Sequence, residues 1–358
     1  MSSEQKPSSA APYQPRPRWD LDERCRRFPF LAAMRERVLV CDGAMGTMIH
    51  AANLTLDDYR GKENCVEVIN ESRPDVIGRI HAAYFEAGAD IVETNTFGSM
   101  PIVLREFGIE DQAYELSRLA AKVAREVAAG YSRSGQPRYV AGSVGPTTKM
   151  PTLGHIPFDE QRASYATQVH GLLDGGVDVI QIETQFDILN LKSAVVGARD
   201  AMRRAGREVP IIAQVTIETT GTMLVGTEIA AALPVLEALD VDVVGMNCAT
   251  GPDLMQEHVR FLGQTASRFV AVLPNAGLPR NVGGVATFDL TPDDLARYQE
   301  KFVKDYGVSL VGGCCGTTPA HIRAIAEAVR DEPPRLIPEI PKALRLAGLE
   351  AVTIDEQS

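Results

Sequence analysis

The chain has 358 residues, of which 45% are hydrophobic and 23% are charged. This balance is typical of a globular protein and excludes a disordered chain. The formal net charge of −11 would repel a nucleic-acid backbone or an anionic lipid surface, so we expect neither nucleic acid nor membrane as a partner. No stretch has the roughly 18 to 20 apolar residues of a membrane span, and the N-terminus lacks an apolar signal segment, which predicts a cytoplasmic protein.

Residues 1–35 form a proline-rich N-terminal extension with five prolines. Such a composition buries too little apolar surface to offset the entropy of ordering the chain. We therefore expect the first half of this extension to be flexible. A short helix at about 21–35 is expected to pack against the body of the protein.

Residues 36–332 alternate short β-branched runs with amphipathic segments, a pattern typical of repeated βα units around a parallel sheet. The predicted strands are 38–42, 89–95, 139–143, 177–183, 210–217, 241–247, 269–275 and 308–312. The predicted helices are 73–87, 112–129, 159–174, 188–203, 229–239, 253–268, 292–306 and 319–330. Several of these helices begin with a capping residue or with a proline in the first turn.

Eight such units favour an α/β fold of the (β/α)8 TIM barrel type, here with an N-terminal extension. The alternative is an open doubly wound sheet, which usually carries a G-x-G-x-x-G loop after its first strand. The corresponding segment, Asp-Gly-Ala-Met-Gly at 42–46, lacks that spacing. Residues 333–358 are predicted to be a C-terminal extension or linker.

A parallel barrel places its functional residues at the C-terminal ends of the strands. The polar and sulfur side chains expected there are Asp42, Asn95, Ser143, Glu183, Glu218, Asn247, Cys248, Asn275, Cys314 and Cys315. The three cysteines follow the sixth and eighth strands and should meet at one part of the rim. Three thiolates that leave a fourth position open match a catalytic zinc site. The net charge of about −1 on such a site keeps a bound thiol nucleophilic, which points to a thiol substrate.

Other roles for the cysteines stay open at this point. Cys314 and Cys315 have the size and polarity of ordinary buried core residues. A structural four-cysteine zinc site would need Cys41, which precedes Asp42 on a strand and should point the other way.

Asp42 and Glu183 would end the first and fourth strands, opposite the cysteines. A pair of carboxylates suits a substrate ammonium group, although a helix cap or a salt bridge is the ordinary alternative. The backbone N–H groups of Gly43, Ala44 and the turn at 143–145 would suit a carboxylate. Together these groups describe a site for an amino acid that carries a thiol.

Seven motifs carry a resemblance to a known family. They are 40–47 (Val-Cys-Asp-Gly-Ala-Met-Gly-Thr), 93–98 (Glu-Thr-Asn-Thr-Phe-Gly), 142–147 (Gly-Ser-Val-Gly-Pro-Thr), 182–187 (Ile-Glu-Thr-Gln-Phe-Asp), 245–252 (Gly-Met-Asn-Cys-Ala-Thr-Gly-Pro), 273–277 (Leu-Pro-Asn-Ala-Gly) and 312–319 (Gly-Gly-Cys-Cys-Gly-Thr-Thr-Pro). From about residue 36 to its end the chain resembles the zinc-dependent homocysteine S-methyltransferases. The first motif and the segment at 344–350 resemble the homocysteine-binding module of cobalamin-dependent methionine synthases in particular.

This resemblance implies a specific site. Zinc would be bound by Cys248, Cys314 and Cys315, with Asn275 as a possible fourth ligand before L-homocysteine arrives. Asp42 and Glu183 would hold the homocysteine ammonium group. The remaining substrate-binding residues are expected to be Gly43, Ala44, Asn95, Ser143 and Asn247. The thiolate would then take a methyl group from methylcobalamin to give methionine.

The resemblance covers only the first of the four modules of such synthases. The sequence has no Asp-x-His-x-x-Gly cobalamin motif, so we expect a fragment or a separate subunit. Its partners would be the cobalamin-binding and folate-binding modules, with 5-methyltetrahydrofolate as the ultimate methyl donor. One alternative is a complete enzyme that uses S-methylmethionine or betaine. Another is a barrel with a structural zinc that serves only as a docking module.

Overall fold

The computed structural model describes residues 19–283, 285–341 and 343–355, so the segment predicted to be flexible lies largely outside it. A parallel barrel forms the centre of the fold. Its strands are β1 (Leu39–Val40), β2 (Ile91–Glu93), β3 (Tyr139–Val144), β4 (Val179–Gln185), β5 (Ile211–Val215), β6 (Val243–Asn247), β7 (Phe269–Leu273) and, after a hairpin of β8 (Arg280–Val282) and β9 (Val285–Thr287), β10 (Leu310–Val311).

The eight strands are ordered β1-β10-β7-β6-β5-β4-β3-β2. A parallel bridge between Cys41 and Ile91 joins the two ends of this order. There the Asp42 N–H donates to the Ile91 carbonyl over 3.1 Å. The closed (β/α)8 barrel is therefore confirmed, and the open sheet is excluded.

All eight predicted helices are present, with shifts of at most a few residues at their ends. The helices are α1 (Leu21–Arg27), α2 (Pro29–Glu36), α3 (Met45–Ala51), α4 (Ile69–Ser72), α5 (Pro74–Ala87), α6 (Pro101–Leu104), α7 (Ala113–Tyr131), α8 (Phe158–Gly175), α9 (Ile188–Ala205), α10 (Ile229–Ala238), α11 (Pro252–Thr265), α12 (Pro292–Tyr306) and α13 (Pro319–Ala328). α5, α11, α12 and α13 each have a proline in the first turn, where its missing N–H costs no hydrogen bond. None of the helices in the described residues is long and apolar enough to cross a membrane.

Alternation along the strands sets which side chains enter the barrel. On β5, Ile212 packs in the inner core, whereas Ala213 and Val215 pack in the outer core against the helices. Both faces of a parallel sheet are buried in this way, so the strands are almost continuously apolar. Polar residues in phase with Ile212 must therefore point into the barrel.

The N-terminal end of the barrel is closed by α1 and α2. Phe30, Leu31 and Met34 of α2 pack into the inner core. Arg24 of α1 forms an ion pair of 2.6 Å with Asp242, which is 1% exposed. The expected helix at 21–35 is thus present as two helices, and it is part of the core.

The C-terminal segment contains a hairpin that the sequence did not predict. Strands β11 (Leu344–Ala347) and β12 (Ala351–Ile354) pair antiparallel. The hairpin lies on α10, where Arg345 pairs with Glu237 over 3.1 Å and the Glu228 N–H donates to the Leu349 carbonyl over 2.9 Å.

Candidate active site

Three cysteines meet at the C-terminal end of the barrel. The Sγ atoms of Cys248, Cys314 and Cys315 all lie within 4.8 Å of one another. Those of Cys248 and Cys315 are 3.8 Å apart. Tetrahedral zinc with Zn–S bonds of about 2.3 Å places its sulfur ligands about 3.8 Å apart. The sulfur spacing fits such an ion, and Cys41 lies in a different cluster, with Asp42 and Glu93.

The backbone that presents Cys248 is strained. Cys248 and Ala249, directly after β6, have φ values of 61° and 57°, and Thr184 on β4 has φ 55°. A non-glycine residue held in a sparsely populated conformation such as this costs about 1 kcal/mol or more and persists only where the surrounding structure enforces it. Here the left-handed backbone conformation places the Cys248 thiol next to the loop that carries the other two cysteines.

The loop of Cys314 and Cys315 is fixed from the neighbouring β7. The Cys314 N–H donates to the Pro274 carbonyl over 2.8 Å. The Cys315 N–H donates to Oδ1 of Asn275 over 3.0 Å. Asn275, the predicted fourth ligand, therefore contacts the cysteine loop directly, and its binding to a metal stays a prediction.

Thr317 ties this loop to the loop after β1. Its hydroxyl donates to the Cys314 carbonyl over 2.6 Å and accepts from the Ala44 N–H over 3.1 Å. Added Cβ atoms at Gly43 and Gly313 would both lie 2.5 Å from Oγ1 of Thr317. Gly43 is required because the loop after β1 approaches Thr317 so closely, and Gly313 is required because the cysteine loop folds back on itself at Thr317.

Contacts among the three thiols separate their pKa values. Hydrogen bonds from Cys314 and Cys315 lower the pKa of Cys248 to about 3. The same contacts raise the pKa of Cys315 to about 12 and that of Cys314 well above its usual value. A cation that binds all three as thiolates must therefore displace protons from Cys314 and Cys315.

Three carboxylates lie at the top of the barrel interior: Asp42 and Glu183 are buried and Glu93 is partly buried. Glu183, predicted opposite the cysteines, lies beside them, because Asn247 contacts both Glu183 and Cys314. Asp42 accepts the Glu93 N–H over 3.0 Å, and Gln181 donates to the Glu93 carboxylate. Glu183 accepts from the Ser143 hydroxyl over 2.6 Å. In the described part of the chain, no basic side chain forms an ion pair with Asp42, Glu93 or Glu183.

Burial is the main cause that raises the pKa of each of these three carboxyls. The pKa of Glu183 rises to about 7. The pKa values of Asp42 and Glu93 lie well above their usual range, and the neighbouring Glu183 charge raises both further. Perturbed carboxyls clustered beside a cysteine group mark this end of the barrel as the candidate active site.

Asn247 contacts both the carboxylates and the cysteines. Its Nδ2 lies 3.2 Å from Oε2 of Glu183 and 3.9 Å from Sγ of Cys314. Its Oδ1 accepts the Thr184 N–H over 2.8 Å. The predicted site residues Asn247, Glu183 and Cys314 are thus brought together by one side chain.

Several predicted backbone donors already have partners inside the protein. The N–H groups of Ala44, Ser143 and Gly145 donate to Thr317 Oγ1, Thr94 Oγ1 and the Phe97 carbonyl respectively. These hydrogen bonds fix the loops, and carboxylate binding at Gly43 and Ala44 stays a prediction. The Ser143 side chain positions Glu183.

Within the described residues, Asn95 and Glu218 form hydrogen bonds with other parts of the chain, not with the cysteines or the three carboxylates. Because β2 ends at Glu93, Asn95 stands in the following loop, and its amide donates to the Val66 carbonyl and to Oδ1 of Asn70. Glu218 lies in a turn closed by its N–H and the Thr222 carbonyl. A substrate contact by Asn95 stays a prediction.

Glu93, which precedes Asn95, is an inward-pointing carboxylate outside the predicted set of substrate-binding residues. It is in phase with Ile91 of the inner core and therefore points into the barrel, next to Cys41 and Asp42. In a strand that reaches residue 95, as predicted, Glu93 and Asn95 would share one face, and the choice of Asn95 as the residue at the strand end left Glu93 out.

Comparison with known proteins identifies relatives of the chain. Residues 39–329 match the homocysteine S-methyltransferase family. Over 299 residues the chain is 54% identical to the methionine synthase of Mycobacterium tuberculosis and 52% identical to that of Mycobacterium leprae. These matches cover 84% of this chain but 25% of each relative.

The fold also matches a solved structure. The metallated form of the homocysteine methyltransferase MmuM from Escherichia coli superposes with a TM-score of 0.67 and 23% identity, covering 83% of this chain and 98% of that one. At this identity the likeness concerns the fold. The family match over most of the barrel shows that the chain belongs to the homocysteine S-methyltransferase family.

Proposed function

We propose that this chain binds zinc and activates the thiol of L-homocysteine for methyl transfer, giving methionine. The observation that carries the proposal is the position of the three thiols. Their Sγ atoms lie within 4.8 Å of one another, with 3.8 Å between Cys248 and Cys315, beside the buried carboxylates of Asp42 and Glu183, which lack a basic partner in the described residues. Zinc held by the three cysteines would bind a substrate thiol, and the neighbouring carboxylates would accept hydrogen bonds from a substrate ammonium group. An amino acid that carries a thiol has both groups.

Cys248, Cys314 and Cys315 would hold the zinc. When bound, zinc with three thiolate ligands lowers the pKa of a thiol in its fourth position and leaves that sulfur nucleophilic. Asn275 would be close enough to serve as the fourth ligand in the absence of substrate, because its side chain contacts Cys315.

Asp42 and Glu183 would bind the homocysteine ammonium group. Both are buried, and a substrate cation would supply the charge partner that they lack within the described residues. Asn247 and Ser143 hold the Glu183 carboxylate from two sides. This fixes the distance between the bound ammonium group and the thiol that approaches the cysteines, which orients the sulfur for attack.

The methyl donor would be methylcobalamin, supplied by another module. The relatives named methionine synthase match with 52% and 54% identity but extend well beyond the aligned region, which is 25% of their length. In this proposal the cobalamin-binding and folate-binding modules are the partners of the barrel, and 5-methyltetrahydrofolate is the ultimate donor.

Methyl transfer with alternative donors tests the proposal. The zinc-loaded chain is incubated with L-homocysteine and with methylcobalamin, S-methylmethionine or betaine, and methionine is quantified. We expect methionine from methylcobalamin only. Turnover with S-methylmethionine or betaine would support a complete enzyme instead. No methionine from any donor, with a metal that does not respond to thiols, would support a docking module.

A further inference from the structure

Gln214 stands out among the buried polar side chains that the structure describes. It is 0% exposed, and neither its Oε1 nor its Nε2 has a hydrogen-bond partner within the described residues. A buried amide left in this state costs about 1 to 3 kcal/mol. Such a group points to a partner that is not part of the polypeptide.

The orientation of Gln214 follows from its strand. It is in phase with Ile212, which packs in the inner core, and out of phase with Ala213 and Val215 of the outer core. Its amide therefore points into the barrel, one step nearer the candidate active site than Ile212.

Gln214 lies beside the residues proposed to bind the substrate. The pairing of β4 with β5 shifts between Ile182 and Gln185, and this places Glu183 and Thr184 across from Gln214. On the other side Gln214 pairs with Gly245, two residues before Asn247. Since Gly245 has no side chain, the residue paired with Gln214 on β6 offers the amide no side-chain partner.

The surroundings also indicate which chemical group is missing. Gln181, on the same inner face of β4, donates to Glu93 and leaves its own Oε1 unpaired within the described residues. The interior thus presents two amide oxygens, Gln181 Oε1 and Gln214 Oε1, together with the carboxylates of Glu93 and Glu183. A group that donates several hydrogen bonds and carries positive charge satisfies this set, as an ammonium group does.

We propose that Gln214 is a positioning residue for the ammonium group of the amino-acid substrate, which it contacts directly or through one buried water. The inference rests on the proposed function and adds a specificity element to it. Gln214 would distinguish an amino acid with a thiol from a thiol that lacks the amino-acid head group. The ammonium group supplies the donor that Oε1 lacks, whereas Nε2 needs an acceptor such as the buried water.

The test compares two thiols on two variants. Gln214→Met keeps the length and shape of the side chain and removes its hydrogen bonds. Ile212→Val is the matched control, because Ile212 is the inward residue of the same strand one layer farther from Glu183. The zinc-loaded full chain is titrated calorimetrically with L-homocysteine and with 2-mercaptoethanol, and its melting temperature is measured without ligand.

We expect Gln214→Met to weaken L-homocysteine binding roughly tenfold to a hundredfold, as for a lost hydrogen bond to a charged group. Binding of 2-mercaptoethanol should not change, and the melting temperature should be equal or higher. Ile212→Val should lower the melting temperature and leave the affinity for L-homocysteine unchanged.

Unchanged affinity of Gln214→Met for L-homocysteine would overturn the inference, and so would an equal loss for both thiols. If Gln214→Met does not fold, Gln214→Ala is used with the same expectations for the two thiols. A wild-type chain that binds neither zinc nor L-homocysteine would instead overturn the proposed function, so the two failures are distinguishable.

Discussion

Asn247 donates its side-chain amide to Glu183 over 3.2 Å while the same nitrogen lies 3.9 Å from the sulfur of Cys314. One buried side chain therefore contacts both the carboxylate proposed to bind the substrate ammonium group and a proposed metal ligand. Their separation is fixed by the end of β6 rather than by a flexible loop. This arrangement suits a reaction in which the substrate sulfur must be held in one orientation.

Replacing Asn247 tests this connection. Asn247→Ala should weaken L-homocysteine binding by about tenfold or more, because Glu183 loses a hydrogen bond and the strained Thr184 N–H loses its acceptor. Zinc stoichiometry should stay at that of the wild type, since no ligand is removed. Calorimetry and metal analysis give the two values, and a loss of zinc with unchanged homocysteine affinity would contradict the assignment.

Removing one cysteine tests the ligand set. Cys315→Ala should abolish zinc retention after dialysis and leave a folded barrel, because Cys315 is exposed and contributes little to the core. Cys25→Ala is the matched control, since Cys25 lies in α1 at the other end of the barrel, and it should retain zinc. Full zinc content in Cys315→Ala, measured by mass spectrometry of the metal, would show that the ligand set is wrong.

The pKa of Glu183, raised by burial to about 7, predicts a pH dependence of binding. Below that pH the folded protein holds Glu183 protonated, and a neutral carboxyl binds an ammonium group poorly. Affinity for L-homocysteine should therefore rise between pH 6 and pH 8 as the carboxylate forms. Glu183→Gln should lack this rise in affinity, because its amide does not ionise.

The thiol of homocysteine also ionises with rising pH, and this affects the affinities of the wild type and of Glu183→Gln equally. The ratio of wild-type affinity to Glu183→Gln affinity isolates the carboxylate, and it should increase with pH and level off above about pH 8. A ratio that is constant across this range would contradict a role for the Glu183 charge.

His81 provides a test of stability away from the site. It is fully buried in α5, its two ring nitrogens have no partner within the described residues, and burial lowers its pKa to about 4. Since the unfolded chain binds a proton near pH 6.5 and the folded protein does not, stability should fall as the pH decreases from 6.5 toward 4.

His81→Leu should therefore be more stable than the wild type, by about 1 to 3 kcal/mol at pH 7 because two unpaired polar atoms are removed. The difference should widen at pH 5. Urea unfolding at the two pH values measures it. If His81→Leu were less stable than the wild type at both pH values, His81 would have a stabilising hydrogen-bond partner, such as a buried water.

The closure of the barrel bottom depends on Asp242. Its carboxylate accepts hydrogen bonds from Arg24, from the Ile211 N–H and from the indole of Trp19. Asp242→Ala should destabilise the fold by about 3 kcal/mol, as expected for a buried pair that loses one member.

The control for this variant is Arg35→Ala, which removes an exposed ion pair with Asp22 in the same two helices. It should leave the melting temperature almost unchanged. Equal effects of the two variants would mean that the contacts of α1 with the barrel contribute no more than a surface ion pair.

Much of this architecture could be predicted from the sequence. The β-branched runs gave all eight barrel strands because both faces of a parallel sheet are buried, so each strand is an unbroken apolar run. The rule that functional residues follow the strands then brought Cys248, Cys314 and Cys315 together. Their positions did not depend on the exact ends of the strands.

Other features required the three-dimensional structure. Asn95 was predicted at the end of a strand, whereas β2 ends two residues earlier and Glu93 points inward instead. The partners of the Ala44 and Ser143 N–H groups come from other loops, and sequence spacing carries no information about them. The β11–β12 hairpin was missed because its alternation is short and its flanking prolines indicated a linker.

Activation of the homocysteine thiol by zinc is tested most directly by zinc-edge X-ray absorption on the zinc-loaded chain, with and without L-homocysteine. We predict three sulfur neighbours and one lighter atom without substrate, and four sulfur neighbours after L-homocysteine is added. A shell of four sulfurs that does not change, or the absence of bound zinc, would contradict thiol activation at Cys248, Cys314 and Cys315.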